Sequence, residues 1–82
     1  MMTFIYPNPF ENNIYLSINI NKKTYIFITV IDIRGKIVYY NNYKTKDGLN
    51  ANTIELNELE SGIYYLNLEN SDFKAKYMLV KN

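Results

Sequence analysis

Apolar and polar residues alternate with a period of two along most of the chain, and no segment of useful length shows a helical repeat. The clearest alternation lies in 13–20, where isoleucine or leucine occupies every second position from Ile14 to Ile20. Successive side chains of a strand point to opposite faces of the sheet. This segment is therefore predicted to be a strand with one face on a core and the other in solvent.

Five more segments are predicted to be strands, because each is apolar or β-branched and is bounded by turn residues. They are 24–33, 37–43, 53–57, 63–69 and 73–80. Segment 24–33 has apolar residues on both faces, which favours an interior strand or a strand whose second face is covered by a partner. We expect the core-facing residues to be Ile26, Ile28 and Val30 in 24–33, Ile54 and Leu56 in 53–57, and Tyr64, Leu66 and Leu68 in 63–69.

The facing of two strands stays open at this point. In 37–43, the pair Ile37/Tyr39 and the pair Val38/Tyr40 are both plausible core sets. In 73–80, either alternate set can face inward. The longest polar stretch, 45–52, contains Asp47-Gly48 and is predicted to be a loop. Six or seven short strands with a turn every 8–12 residues indicate an antiparallel sandwich or small barrel, and 82 residues leave room for one domain.

The chain lacks both cysteine and histidine. The sequence therefore offers no disulfide, no thiol nucleophile, no histidine for acid–base chemistry and none of the commonest metal ligand. The carboxylates lie mostly in turns or on polar strand faces, where they are ordinarily solvated, and a domain this small has no cleft to shield a catalytic pair. We expect the protein not to be an enzyme.

Two loop motifs, Asp47-x-x-Asn50 and Asn70-x-Asp72, carry the oxygen ligands that calcium prefers, but neither has EF-hand spacing. Asp and Asn favour turns because their side chains bond to nearby backbone N–H groups. We therefore predict turn roles for these residues, and no metal or cofactor.

Nine basic and eight acidic residues give a net charge of +1 and are spread along the chain. A stacking platform for nucleic acid normally comes with a basic groove, so we expect no nucleic-acid partner. Core packing and cross-strand pairing are then predicted for Tyr25, Phe27, Tyr39, Tyr40, Tyr43, Tyr64, Tyr65 and Tyr77. No apolar run approaches the roughly 18–20 residues that a membrane-spanning helix requires.

Four short motifs follow one another in a particular order. They are Tyr6-Pro7-Asn8-Pro9, Asp32-x-x-Gly35-Lys36, Leu59-x-Ser61-Gly62-Ile63-Tyr64, and a final lysine-rich strand that ends Lys76-Tyr77-Met78-Leu79-Val80-Lys81. In this order and at this spacing they resemble the type A C-terminal sorting domain of the bacterial type IX secretion system. The resemblance covers the chain from Tyr6 to Asn82.

This resemblance implies an all-β, immunoglobulin-like antiparallel sandwich of six to seven strands at the C-terminus of a larger exported protein. Residues 1–82 would form one sorting domain, with 1–5 the remnant of a linker to an upstream cargo domain. The cargo would pass through the periplasm and cross the outer membrane while the translocon reads this domain. A sortase-like peptidase usually then cuts upstream of the domain, and the cargo is anchored to the cell surface or released.

The resemblance also implies which positions the translocon recognises. They are Pro7, Asn8, Pro9, Asp32, Gly35, Lys36, Leu59, Ser61, Gly62, Tyr64, Lys76, Val80 and Lys81. We expect Pro7 and Pro9 to stiffen the start of the domain and hold the upstream linker away from the sandwich. The last strand is the expected contact for the export machinery, because an edge strand can pair with another chain through its backbone.

One alternative is an adhesive or carbohydrate-binding module of a cell-surface protein. That function would require an exposed aromatic row, with Tyr15, Tyr25, Tyr39 or Tyr65 aligned on the solvent face. A homodimer formed by edge-strand pairing or strand exchange is compatible with the sorting function.

Overall fold

All regular structure in the computed structural model, which describes residues 2–82, is β-strand. The strands are β1 (Met2–Tyr6), β2 (Asn13–Ile20), β3 (Tyr25–Asp32), β4 (Ile37–Lys44), β5 (Gly48–Glu55), β6 (Gly62–Glu69) and β7 (Lys74–Lys81). Within 2–82 there is no helix with the length and apolar character needed to cross a membrane.

The strands form two antiparallel sheets that pack face to face. One sheet has the order β1-β2-β5, and the other has the order β4-β3-β6-β7. The buried core residues are Phe10, Ile14, Leu16, Ile18, Ile20, Ile26, Ile28, Val30, Ile54, Leu56, Tyr64, Leu66, Leu68 and Leu79. Burial of a large apolar side chain stabilises the fold by about 1.5–3 kcal/mol, so the apolar stripes of the strands are the main force that holds the sheets together. The predicted small β-sandwich is confirmed.

The period-two pattern placed the core faces of β2, β3 and β6 correctly. Alternate residues from Ile14 to Ile20, from Ile26 to Val30 and from Tyr64 to Leu68 are buried. Strand β3 lies between β4 and β6, as its two apolar faces predicted. Its second face is nevertheless uncovered by the chain, since Tyr25 and Phe27 are exposed there.

The loop predicted at 45–52 is wrong for its second half. Strand β5 begins at Gly48 instead of residue 53 and pairs with β2 over its whole length, from Gly48↔Ile20 to Glu55↔Asn13. The polar residues of this stretch join a strand because β2 offers them a full ladder of backbone hydrogen bonds. Asn50, although completely buried, finds polar partners in the preceding turn.

A β-bulge resolves the facing of β4. The register between β3 and β4 shifts between Val30 and Ile31. Val38 is the extra residue of the bulge, and it packs against the core together with Tyr39 and Tyr43. Neither alternate set predicted for 37–43 is the complete core set, because a bulge adds one residue and reverses the alternation.

In β7, Ala75, Tyr77 and Leu79 face the core, and the lysines at 74 and 76 are exposed on the outer face. Strand β7 is an edge strand, as expected.

Residues 2–6, which fall mostly within the segment attributed to a linker, form β1 and pair with β2 from Met2↔Asn19 to Tyr6↔Tyr15. The expected role of the prolines as a stiff spacer before the sandwich is wrong. Pro7 and Pro9 lie inside the fold, in the connection between β1 and β2, because the strand that precedes them belongs to the sheet. The derivation of 1–5 from a linker stays a prediction.

Candidate recognition surface

The antiparallel topology gathers the sequence motifs at one end of the sandwich. Successive strands run in opposite directions, so alternate loops lie at the same end. We call "motif end" the end formed by the loops 7–12, 33–36 and 56–61 together with the last residues of β7, and "opposite end" the end formed by the loops 21–24, 45–47 and 70–73. Of the predicted positions, only Lys76 lies away from the motif end, near the middle of β7.

The first and last motifs are bonded directly to each other. The Asn8 side chain donates from Nδ2 to the Met78 carbonyl at 2.9 Å, and its Oδ1 accepts from the Val80 N–H at 2.9 Å. The Phe10 N–H donates to the Val80 carbonyl at 2.8 Å, and the Asn82 N–H donates to the Phe10 carbonyl at 2.9 Å. An asparagine amide and one residue of loop backbone thus take the place of a neighbouring strand along the end of β7.

The second motif is a tight turn organised by one carboxylate. Asp32 Oδ1 accepts hydrogen bonds from the N–H groups of Arg34 and Lys36, each at 2.9 Å. The hydrogen bond from the Lys36 N–H is the main reason why the pKa of Asp32 lies below its ordinary value. The bond from the Arg34 N–H and the positive charges of both residues lower this pKa further. Gly35 has a φ of 87°, a backbone conformation that glycine adopts without the strain that a β-carbon would cause.

The third motif closes the loop between β5 and β6. The Tyr64 hydroxyl donates to the Glu60 carbonyl at 2.7 Å, while the ring is buried in the core. A tyrosine near the start of this strand that bonds a few residues upstream is the tyrosine corner of immunoglobulin-like sandwiches. Leu59 packs against the core, and Gly62 pairs with Lys81 of the last motif.

The last motif contributes a lysine that closes over the first loop. The Lys81 ammonium group donates to the Glu11 carbonyl and lies 5.8 Å from the centre of the Phe10 ring. The motif positions left exposed for contact with a partner are Pro7, Asn8, Pro9, Gly35, Lys36, Ser61, Gly62 and Lys76. The motif end therefore presents polar motif residues beside the exposed side chain of Ile33, and it is built on the buried rings of Phe10 and Tyr64.

Sequence reasoning missed Phe10, which joins the first motif to the last. Its signal was present, since Phe10 is the only apolar side chain besides proline in the polar segment 7–13. It also missed two polar residues at the opposite end, Thr45 and Asn50, which are buried. Nothing in a polar loop sequence marks which of its members will be enclosed.

The aromatic row required for the carbohydrate-binding alternative does not form from the four tyrosines. Tyr39 packs against the core, and Tyr15 lies on the other sheet, where its ring contacts that of Tyr6. The exposed aromatic pair on the four-stranded sheet is instead Phe27 and Tyr40, with ring centres 6.3 Å apart.

The loop oxygens considered as calcium ligands serve the backbone. Asn50 Oδ1 accepts from the Lys46 N–H, and Asn70 Oδ1 accepts from the N–H groups of Asp72 and Phe73. In the part of the chain that the structure describes, no three acidic side chains gather as they would around a metal ion.

Residues 4–82 match a family model described as "Secretion system C-terminal sorting domain". No curated protein and no solved structure matches the chain. The matched range begins in β1 and includes all four motifs.

Proposed function

Because the chain belongs to the family of type IX secretion-system C-terminal sorting domains, we propose that its motif end is the surface by which the outer-membrane translocon recognises a larger exported protein. This proposal rests on one observation: motifs that are far apart in the sequence lie close together in the fold. Residues near 8, 33, 61 and 80 are separated along the chain but meet at one end of the sandwich. A partner that binds this end therefore recognises the folded domain and not a linear peptide.

The position of β1 supports an accessible recognition surface. An upstream cargo domain would be joined through residue 1, and Met2 lies at the opposite end of the sandwich, paired with Asn19. The longest dimension of the domain is 35 Å. The attachment point of the cargo and the motif end would therefore lie at opposite ends of the domain.

The remaining steps of the proposal concern transit and processing. The cargo passes through the periplasm, crosses the outer membrane, and ends at the cell surface or in the medium. A sortase-like peptidase cuts upstream of β1. In this process the domain acts as a targeting signal and as part of the substrate of the peptidase. A family of sorting signals is not a class of enzymes.

A reporter fusion tests the proposal. The chain is fused to the C-terminus of a periplasmic reporter in a bacterium with a type IX system, and the reporter is assayed outside the cell. We expect export in the host with an intact translocon and periplasmic retention in a translocon deletion. Retention of the reporter in both strains would contradict the proposed function.

The second candidate function, carbohydrate binding, is favoured by one observation. Phe27 and Tyr40 are exposed as a stacked pair, and a groove of about 360 Å³ that Asn67 and Glu69 help to line begins beside Phe27. Aromatic rings with neighbouring polar groups are the usual components of a binding site. Titration of the purified chain with soluble glycans, compared with a Phe27→Ala variant, tests this function, and the absence of saturable binding would rule it out.

A further inference from the structure

The outer edge of β7 is divided into two parts with different hydrogen bonding. Residues Met78–Asn82 are covered by Asn8 and Phe10, as described above; we call this the capped part. Backbone groups in an antiparallel strand point alternately toward and away from the neighbouring strand. The backbone N–H of Val80 points away from β6, toward Asn8. By this alternation, outward-pointing groups are also the N–H and C=O of Lys74 and Lys76 and the N–H of Met78.

These outward groups form the open part of the edge, residues 74–78. Among the described residues, no backbone partner binds the N–H or C=O of Lys74 or Lys76. At about 3.3 Å per residue, the open part offers a template for a strand of about five residues. An unpaired edge of this kind binds an extended segment through main-chain hydrogen bonds.

Beside the open part runs a groove of about 490 Å³ between the two sheets. Its walls are residues of β1, from Thr3 to Ile5, and of β7, from Lys76 to Leu79, and Asn8 lies at its end. Ile5 and Tyr77 supply apolar surface. Thr3 Oγ1 is buried and has no hydrogen-bond partner in the range 2–82. The groove therefore suits a segment that places apolar side chains inward.

The outer flank of the open part is positively charged. The Lys76 ammonium group lies 4.8 Å from the centre of the Tyr65 ring and makes no ion pair within the described residues. Lys74 is paired with Glu69 at 3.3 Å but is largely exposed. Like charges directly opposite each other destabilise a strand pair. A second copy that added its own β7 would bring these lysines against each other, whereas an acidic strand would complement them.

We propose that the open part of the β7 edge accepts an extended segment of the export machinery as an added strand, with alternating apolar and acidic side chains. This inference rests on the proposed function, which supplies the partner. The apolar side chains fill the groove beside Ile5 and Tyr77, and the acidic ones lie against Lys74 and Lys76. Asn8 closes the edge at Met78, so it sets where the added strand stops and fixes its register.

The backbone arm of the test uses two proline variants in the reporter fusion. Lys76→Pro removes an outward N–H without breaking a bond to β6, and edge strands tolerate proline at such positions. Lys44→Pro is the matched control: the pairing of Thr45 with Thr24 places the Lys44 N–H on the outer edge of β4, and this lysine too lies over a tyrosine ring. Loss of one such hydrogen bond is expected to lower export by about tenfold for Lys76→Pro, with the Lys44→Pro fusion exported like the wild type.

The charge arm keeps every backbone N–H and covers the case in which Lys76→Pro fails to fold. Lys76→Asp is expected to lower export by about tenfold or more through repulsion of an acidic strand, while Lys44→Asp has no effect. Thermal unfolding of the purified variants shows which of them are folded.

The outcomes separate this inference from the proposed function. If the unaltered fusion is not exported, both fail. If the unaltered fusion is exported and a folded Lys76→Pro variant is exported equally well, only the strand-addition proposal is overturned. If Lys76→Pro does not fold, equal export of Lys76→Asp has the same meaning. A dimer of the purified chain that dissociates in the Lys76→Pro variant would show that a second copy occupies the edge, and would overturn the proposal too.

Discussion

The two ends of the sandwich use the same residue type in opposite ways. At the motif end, Asn8 is exposed and bonds to Met78 and Val80, which are 70 and 72 positions away along the chain. At the opposite end, Asn50 is fully buried, and its shortest hydrogen bonds join it to Lys46 and Gly48, which are four and two positions away. Each asparagine supplies both a donor and an acceptor where a backbone partner is missing.

The two asparagines differ in what they contribute: Asn50 mainly to stability and Asn8 to the proposed recognition surface. The Asn50 network closes the turn before β5, so its loss leaves part-buried backbone groups without their partner. The Asn8 bonds join the two extremities of the chain at the surface, and water can replace them. The Asn8 bonds therefore contribute less to stability than the Asn50 network, but they form only when the whole fold is complete.

The largest effect is expected from Asn50→Ala. This change leaves the Lys46 N–H and C=O without their side-chain partner, and should lower the free energy of unfolding by about 3 kcal/mol. The melting temperature of a domain this size should then fall by on the order of 15 °C. The matched control is Asn42→Ala, at an exposed position of β4, which should change stability by less than about 0.5 kcal/mol. Equal stability of the two variants in urea denaturation would refute the assignment of Asn50 to the core network.

Tyr64→Phe tests how much a single hydrogen bond at the motif end contributes to stability. It removes the hydroxyl that donates to Glu60 and keeps the buried ring. We expect a loss of about 1–2 kcal/mol in the free energy of unfolding, because the Glu60 carbonyl loses its partner in a partly buried site. Denaturant unfolding measures this loss, and an unchanged midpoint would mean that the tyrosine corner does not stabilise the loop.

Asn8→Ala should separate recognition from stability. Since Asn8 is exposed, the loss of its two bonds should cost only about 1 kcal/mol. Export of the reporter fusion should nevertheless be lost, because the capped part of β7 is uncovered. Asn42→Ala, at an exposed position of β4 away from the motif end, is the control and should be exported normally. Normal export of both variants would remove Asn8 from the recognition surface.

The smallest effect is a dependence of stability on pH through Asp32. Hydrogen bonds from the Lys36 and Arg34 N–H groups, together with their charges, lower the pKa of Asp32 from 3.8 in the folded state. The ionised carboxylate therefore stabilises the fold above pH 3.8, and this contribution is lost as pH falls through the lowered pKa. Asp32→Asn keeps an acceptor oxygen but no charge, so the stability advantage of the wild type should shrink below pH 3.8. A difference that is constant from pH 2 to pH 7 would contradict this account.

Much of the fold was predictable because burial on one face of a strand imposes a strict alternation on the sequence. The core faces of β2 and β6 follow from this alone. The start of β5 was not predictable, since Asn50 reads as a turn residue until its buried partners are known. The facing of β4 depended on a bulge at Val30/Ile31, which the residues of β4 themselves do not encode.

For the candidate site, the sequence identified the four motifs and hence the family. The matched family range of 4–82 confirms that part of the prediction. The sequence could also place the turns of Asp32 and Gly62, because turn chemistry acts over a few residues.

The all-β class, most of the turns and the family were thus predictable from local sequence, since alternation and turn preference are local properties. Only the tertiary structure decided that Asn8 and Phe10 cap the end of β7 and leave 74–78 open. The physical reason is that an edge strand is completed by whatever the whole fold brings beside it. In this protein that neighbour lies some seventy residues away along the chain.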